Sequence, residues 1–258
     1  MLKLKGNIIQ DNFRKEIENL FFKLDHLLII KFAIKKRKRS KMNDIDKDKY
    51  IYYFRIVLCV VGWISIILGL VNRGINLTGG EDVVLAFSNH FSYFTIQSNL
   101  IVLIWLTISI IYNNKENKPR ILGSIPRGAV TVYITVTFLI FAIILSPGYV
   151  PQGLALYTNI VSHYILPVAF IIDWIFTETE NKYEWRYAVF WLIYPILYLI
   201  YTLVRGAITN FYPYFFLDLN VLSVIELVAY VIGLILLFLI LGGIYIFANR
   251  FQNKRKNA

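Results

Sequence analysis

Two stretches of the chain hold polar side chains inside otherwise apolar sequence. One reads Phe91-Ser92-Tyr93-Phe94-Thr95-Ile96-Gln97-Ser98-Asn99, the other Tyr157-Thr158-Asn159-Ile160-Val161-Ser162-His163. On a helix Ser92, Thr95 and Asn99 share one face, and Asn159 lies one turn before His163. A hydroxyl on one helix and an imidazole on another can do acid–base chemistry, or can simply hydrogen-bond between helices. A lone Thr in an apolar helix commonly donates to the carbonyl one turn back and does nothing more. An intramembrane His is rarer and more often functional, though it can also join two helices. Gln97 and Ser98 are by default interhelical hydrogen-bonding groups.

The elements that carry these residues read as membrane helices. The chain of 258 residues is 57% hydrophobic and 16% aromatic, with a mean hydropathy of +0.58, too apolar to cover a soluble globule. Apolar runs of bilayer-crossing length recur at about 50–71, 89–112, 128–146, 154–176, 187–204 and 220–248. The fold class is therefore all-α, a polytopic bundle of six transmembrane helices. Short polar breaks separate the runs, and the one at 146–153, Ser146-Pro147-Gly148-Tyr149-Val150-Pro151-Gln152-Gly153, reads as a tight turn. The aromatic stretch Tyr212-Pro213-Tyr214-Phe215-Phe216 is expected at the headgroup level.

Charge sets the orientation. Residues 1–49 hold 14 Lys and Arg against 7 Asp and Glu, and the tail 249–258 carries Arg250, Lys254, Arg255 and Lys256. The break after the second run adds Lys115, Lys118, Arg120 and Arg127, and the break after the fourth adds Lys182 and Arg186, whereas the alternate breaks hold only Arg73 and Arg205. The positive-inside rule then places both termini in the cytoplasm around a transmembrane domain at 50–248. The net charge of +11 is thus a topological signal, and no nucleic-acid partner is expected. Within 1–49, Ile17, Leu20, Phe21, Leu24 and Leu28 recur at helical spacing before Lys35-Lys36-Arg37-Lys38-Arg39. That pattern fits a helix on the anionic inner leaflet, or a solvated tail whose basic run enforces topology.

Depth brings the polar faces together. With 1.5 Å per residue, Thr95 lies roughly 9 to 10 Å below the outer end of its run and His163 roughly 13 to 14 Å below its own. Glu226 falls at a comparable depth in the sixth run and could join them. Pro167 has no N–H for the carbonyl of His163, which predicts an opened helix and a small polar cavity there. Pro195 does the same for Trp191, and Tyr194, Tyr198, Tyr201 and Arg205 line one face of the fifth run. Arg55 and Asp173 lie toward the cytoplasmic end, where an ion pair is the simplest reading. One cysteine, Cys59, and three histidines argue against a disulfide framework, a thiolate metal site or a haem, and no cofactor or metal is expected. No G-x-S-x-G, P-loop or H-E-x-x-H motif occurs.

At these residues the chain resembles the bacterial six-transmembrane group called Pr-six-Pr. Phe94-Thr95-Ile96-Gln97-Ser98-Asn99, His163 with Pro167, Asp173-Trp174, Tyr194-Pro195 with Tyr198, and Arg205-Gly206 before Tyr212-Pro213-Tyr214 carry the likeness in order. That group is similar to the androgen-induced family of animal membrane hydrolases, which use an intramembrane Thr and His to cleave fatty acid esters of hydroxy fatty acids. The resemblance implies Thr95 as nucleophile, His163 as base, membrane lipids as partners, and a bacterial cytoplasmic membrane as the location.

The combined expectation is a lipid ester hydrolase in which a neutral His163 takes the Thr95 proton. Asn99, Gln97 or a tyrosine of the fifth run would stabilise the oxyanion, and Asn159 would orient the imidazole. Two other classes stay open: a small-solute or ion transporter or channel lined by Ser92, Thr95, Asn99, Asn159, His163 and Glu226, and a non-catalytic scaffold that recruits partners through its basic extension.

Overall fold

The computed structural model describes residues 44–257, apart from 179 and 181. The chain divides into a unit of residues 1–49 and a unit of residues 50–258, and the second is the subject below. The surface helix expected within 1–49 lies outside the described residues.

The described residues are helical, with no strand among them. The first helix, α1 (Asp44–Ile75), is followed by α2 (Val83–Phe91) and α3 (Phe94–Ile111). A long central element begins as α4 (Ser124–Ile140), widens into a π turn at Phe141–Leu145 and closes with a 3-10 turn at Ser146–Gly148. The next crossing is α5 (Leu154–Ile160), a second π turn at Val161–Ile165, and α6 (Leu166–Thr177). A short α7 (Tyr187–Phe190) and α8 (Ile193–Thr209) form the fifth, a 3-10 turn spans Phe215–Leu217, and α9 (Val224–Asn257) is the sixth.

Six of these segments are long and apolar enough to cross a bilayer: Lys47–Ile75, Phe94–Ile111, Ser124–Gly148, Leu154–Thr177, Tyr187–Thr209 and Val224–Gln252. The protein is a multi-pass membrane helix bundle. Its outward faces are apolar, as at Val57, Ile64, Ile200, Ile225 and Ile240, which suits hydrocarbon rather than water. The second crossing departs from its expected start at 89, because the helix stops at Phe91 and restarts at Phe94.

Local chemistry fixes several ends. Asp82 caps α2 by accepting the Leu85 N–H at 3.0 Å. Asn210 ends α8 in the left-handed region, φ 56°, with its N–H on the Gly206 carbonyl. Ser223 and Glu226 form a capping box at the start of α9, with Ser223 N–H and Oγ donating to Glu226 Oε2 at 2.8 and 2.7 Å. Glu226 is therefore an exposed end residue and does not reach the polar faces of the other helices, which corrects the depth expectation. The expected run began at 220, whereas α9 begins at Val224, which puts Glu226 in the first turn.

The central element packs against α3, α6 and α9. Close approach there needs small residues: a Cβ on Gly128 would lie 2.6 Å from Trp191 Cζ2 and 2.7 Å from Tyr183 Oη. One apolar cluster centres on Val102, Leu103, Leu106, Ile134 and Phe170. A second, aromatic cluster gathers Phe94, Trp174, Trp191, Tyr198, Tyr214 and Phe238. The expected Arg55–Asp173 pair is present, with Nε and Nη2 each 3.0 Å from a carboxylate oxygen, and Arg127 joins it.

Candidate active site

The break between α2 and α3 exposes carbonyls at one helix end and N–H groups at the next, and in a bilayer these need partners from the protein. Tyrosines supply them. Tyr198 Oη donates to the Ser92 carbonyl at 2.9 Å. Ser92 Oγ gives its proton to the Ser88 carbonyl and has Tyr201 Oη at 3.2 Å. Gln97 Nε2 donates to the Phe91 carbonyl at 3.0 Å, and its Oε1 accepts from Tyr194 Oη at 3.0 Å. The Thr95 N–H donates to Tyr214 Oη at 3.2 Å, and the Thr95 hydroxyl lies 3.4 Å from the same oxygen.

Tyr214 is the residue that sequence reasoning missed. Its stretch is expected at the headgroups, yet Tyr214 and Phe216 fold inward to 8% and 5% exposure and stack with ring centroids 5.1 Å apart. Burial pushes the Tyr214 phenol up to about 12, so it stays protonated and keeps a hydrogen to donate. The sequence signal was the Tyr212-Pro213-Tyr214 turn beside Gly206, where a Cβ would run into the Tyr212 ring.

An apolar cavity of about 80 Å³ ends at this break. Phe94, Val136, Ile140, Leu199, Leu234 and Phe238 form much of its wall, so α3, α4, α8 and α9 all contribute, and Phe216 and Leu217 close one side. Its few polar members are Thr95, Thr137, Tyr198 and Tyr214. An apolar cavity with a few hydroxyls at its end suits an aliphatic chain whose polar end stops at the Thr95 and Tyr214 hydroxyls.

His163 sits in the second π turn, where the Leu166 N–H reaches back to the Val161 carbonyl. Pro167 follows at once, so the opening expected at His163 takes the form of a π turn. Its Nδ1 lies 3.1 Å from the Asn159 carbonyl. A carbonyl only accepts, so in the neutral ring Nδ1 carries the hydrogen and Nε2 keeps the lone pair. Asn159 thus orients the imidazole through its backbone, while its side-chain Oδ1 is buried without a partner. The ring stacks on Phe141 with centroids 3.7 Å apart and planes 19° from parallel. Phe141 opens the other π turn, so the two irregular turns meet at this stack.

The Thr95 hydroxyl and the His163 ring are not hydrogen-bonded to each other, and His163 does not line the cavity. Asn99 links their backbones, donating to the Thr95 carbonyl at 2.7 Å and the Ser162 carbonyl at 3.0 Å. Ser98 Oγ lies 2.8 Å from Thr137 Oγ1, one helical turn from Phe141. Ser92, Gln97, Tyr194 and Tyr198 hold the break itself. Among the described residues no cluster of His, Cys, Asp and Glu could hold a metal ion. No protein-family model, curated protein or solved structure matches the chain.

Proposed function

We propose that the protein is an intramembrane acyl-ester hydrolase with Thr95 as its nucleophile, working in a bacterial cytoplasmic membrane. The observation that supports it most is the apolar cavity that ends on the Thr95 and Tyr214 hydroxyls. A lipid enters with its acyl chain against Ile140, Leu199 and Phe238, which brings the ester carbonyl to Thr95. Thr95 Oγ1 attacks the carbonyl carbon, and its proton passes to His163 Nε2 through bridging water. The Tyr214 phenol donates to the carbonyl oxygen as negative charge develops there. The leaving alcohol takes the proton back, and water then cleaves the acyl-threonine to the free acid.

The resemblance in sequence at Thr95 and His163 supports the same roles. The packing favours this reading over a channel, since Val102, Leu103, Leu106, Ile134 and Phe170, none more than 1% exposed, fill the bundle beyond the cavity.

The test is hydrolysis of fluorogenic acyl esters by protein reconstituted in liposomes. Long-chain esters should turn over faster than acetate, Thr95→Ala should abolish turnover, and His163→Ala should lower it by about 10²-fold or more. Turnover by Thr95→Ala equal to wild type would remove the assignment.

A further inference from the structure

A second cavity, of about 150 Å³, opens at the end of the bundle that carries the 112–123 and 178–186 connections. Unlike the first it is walled by polar groups, among them Arg55, Ser109, Lys118, Ser124, Arg127 and Glu178. Two guanidinium groups share one carboxylate here. Arg55 grips both oxygens of Asp173, and Arg127 Nη2 approaches Oδ2 at 2.7 Å. Thr177 Oγ1 gives its own proton to the Asp173 carbonyl and accepts from both arginines. The Trp105 ring is a common platform, with each guanidinium carbon 5.1 Å from its centroid.

A purely structural pair would leave the donors and acceptors matched, and these are not. Trp105 Nε1 and Arg127 Nε are buried without an acceptor among the described residues, on side chains whose residues are 3% and 6% exposed. The nearby carboxylates are already occupied. Glu178 Oε1 accepts from Ser124 Oγ at 2.9 Å and from the Glu180 N–H at 3.1 Å. Glu178 Oε2 takes the Tyr183 hydroxyl at 3.4 Å and faces Arg127 Nη1 at 3.8 Å. The Glu180 carboxylate is paired with Lys182 at 2.7 Å. What the wall lacks is a group rich in acceptor oxygens, and the exposed Lys118 at its rim adds positive charge for one.

We propose that this cavity binds a phosphate-type oxyanion, with Trp105 Nε1–H, Arg127 Nε–H and the Lys118 ammonium as its donors. Phosphate oxygens accept several hydrogen bonds at once, and charge-assisted bonds of this kind are the strong ones. The cavity is open at this face, so a substituted phosphate, such as a lipid headgroup, is accommodated as well as a free anion.

Removing Arg127 would strand Asp173, so the test uses gentler changes. Trp105→Phe keeps the ring platform and deletes only the N–H, and Lys118→Gln removes the rim charge. Lys115→Gln is the control, since Lys115 lies in the same connection against the Tyr112 ring. In one arm, full-length protein in phosphatidylcholine nanodiscs is titrated calorimetrically with inorganic phosphate at constant ionic strength. In the other, protein from vesicles of phosphatidylcholine with one tenth phosphatidic acid is examined by native mass spectrometry for retained lipid. Saturable binding in the first arm supports a soluble anion, and retention of phosphatidic acid alone supports a headgroup. In either case Trp105→Phe and Lys118→Gln should each weaken binding about tenfold or more, with Lys115→Gln near wild type. No binding in either arm, or binding that these two variants leave unchanged or that Lys115→Gln weakens equally, overturns the site.

Discussion

The hydroxyl groups around the α2–α3 break differ in how much each one holds. Tyr198 gives its proton to the Ser92 carbonyl, and Phe in its place would leave that carbonyl unsatisfied in the bilayer. Tyr198→Phe should cost about 1–3 kcal/mol, read as a lower thermal midpoint in detergent. Tyr201→Phe should cost less, because the Ser92 hydroxyl is already bonded to Ser88. A reversed order would mean the break is held differently. Tyr214→Phe should lower kcat for acyl esters more than it changes KM, since the phenol is assigned to the developing oxyanion. Outside the membrane spans, burial and the nearby Arg73 push His90 below its ordinary 6.5. The unfolded imidazole then takes up a proton that folded His90 resists, so stability is full above about pH 6.5 and falls as pH drops below it. The midpoint should fall more between pH 7.5 and 5.5 in wild type than in His90→Gln, and equal falls would assign the loss elsewhere. At this scale Thr95 and Tyr198, which the sequence singled out, are buried, and His163 is half-buried. It could not show Tyr214 turning inward, because that depends on a loop packing against α3 and not on local spacing.

The elements are irregular where the candidate chemistry lies. Pro167 made the distortion at His163 legible, since a missing N–H must be accommodated within one turn. The π turn at Phe141–Leu145 was hidden, for Ser146-Pro147-Gly148 reads equally well as the start of a turn. The break at 92–93 was hidden too, because it contains neither Gly nor Pro and is held by tyrosines from α8 and the 210–223 segment. Small residues decide how closely these elements pack. Gly128→Ala would press a methyl group onto Trp191 and Tyr183 and should destabilise the protein by about 1–3 kcal/mol. Gly233→Ala meets nothing within 4 Å and should be neutral or stabilising by about 0.5–1 kcal/mol. Thermal unfolding of the two variants in one detergent checks the contrast, and equal midpoints would contradict the packing of α4.

For the whole molecule, the bilayer is the reason so much could be read in advance. Long apolar runs have one use in a chain of this composition, so all six crossings fall within five residues of their expected limits, the second starting later because of its break. The positive-inside distribution of Lys and Arg predicts the orientation. With Cys59→Ala as background, a cysteine at Val150 should react with an impermeant thiol reagent on intact cells, and one at Asn114 should react only after lysis. The opposite pattern would invert the topology and place the phosphate-type site outside.

The central claim is that Thr95 is a nucleophile at the end of a lipid cavity. The most direct measurement is the position of the covalent adduct left by a long-chain fluorophosphonate probe, mapped by mass spectrometry. The account expects the adduct on Thr95, its loss in Thr95→Ala, its retention in Thr95→Ser and a reduction of about 10²-fold in His163→Ala. Equal labelling of folded wild type and Thr95→Ala, or an adduct on another residue, would contradict it.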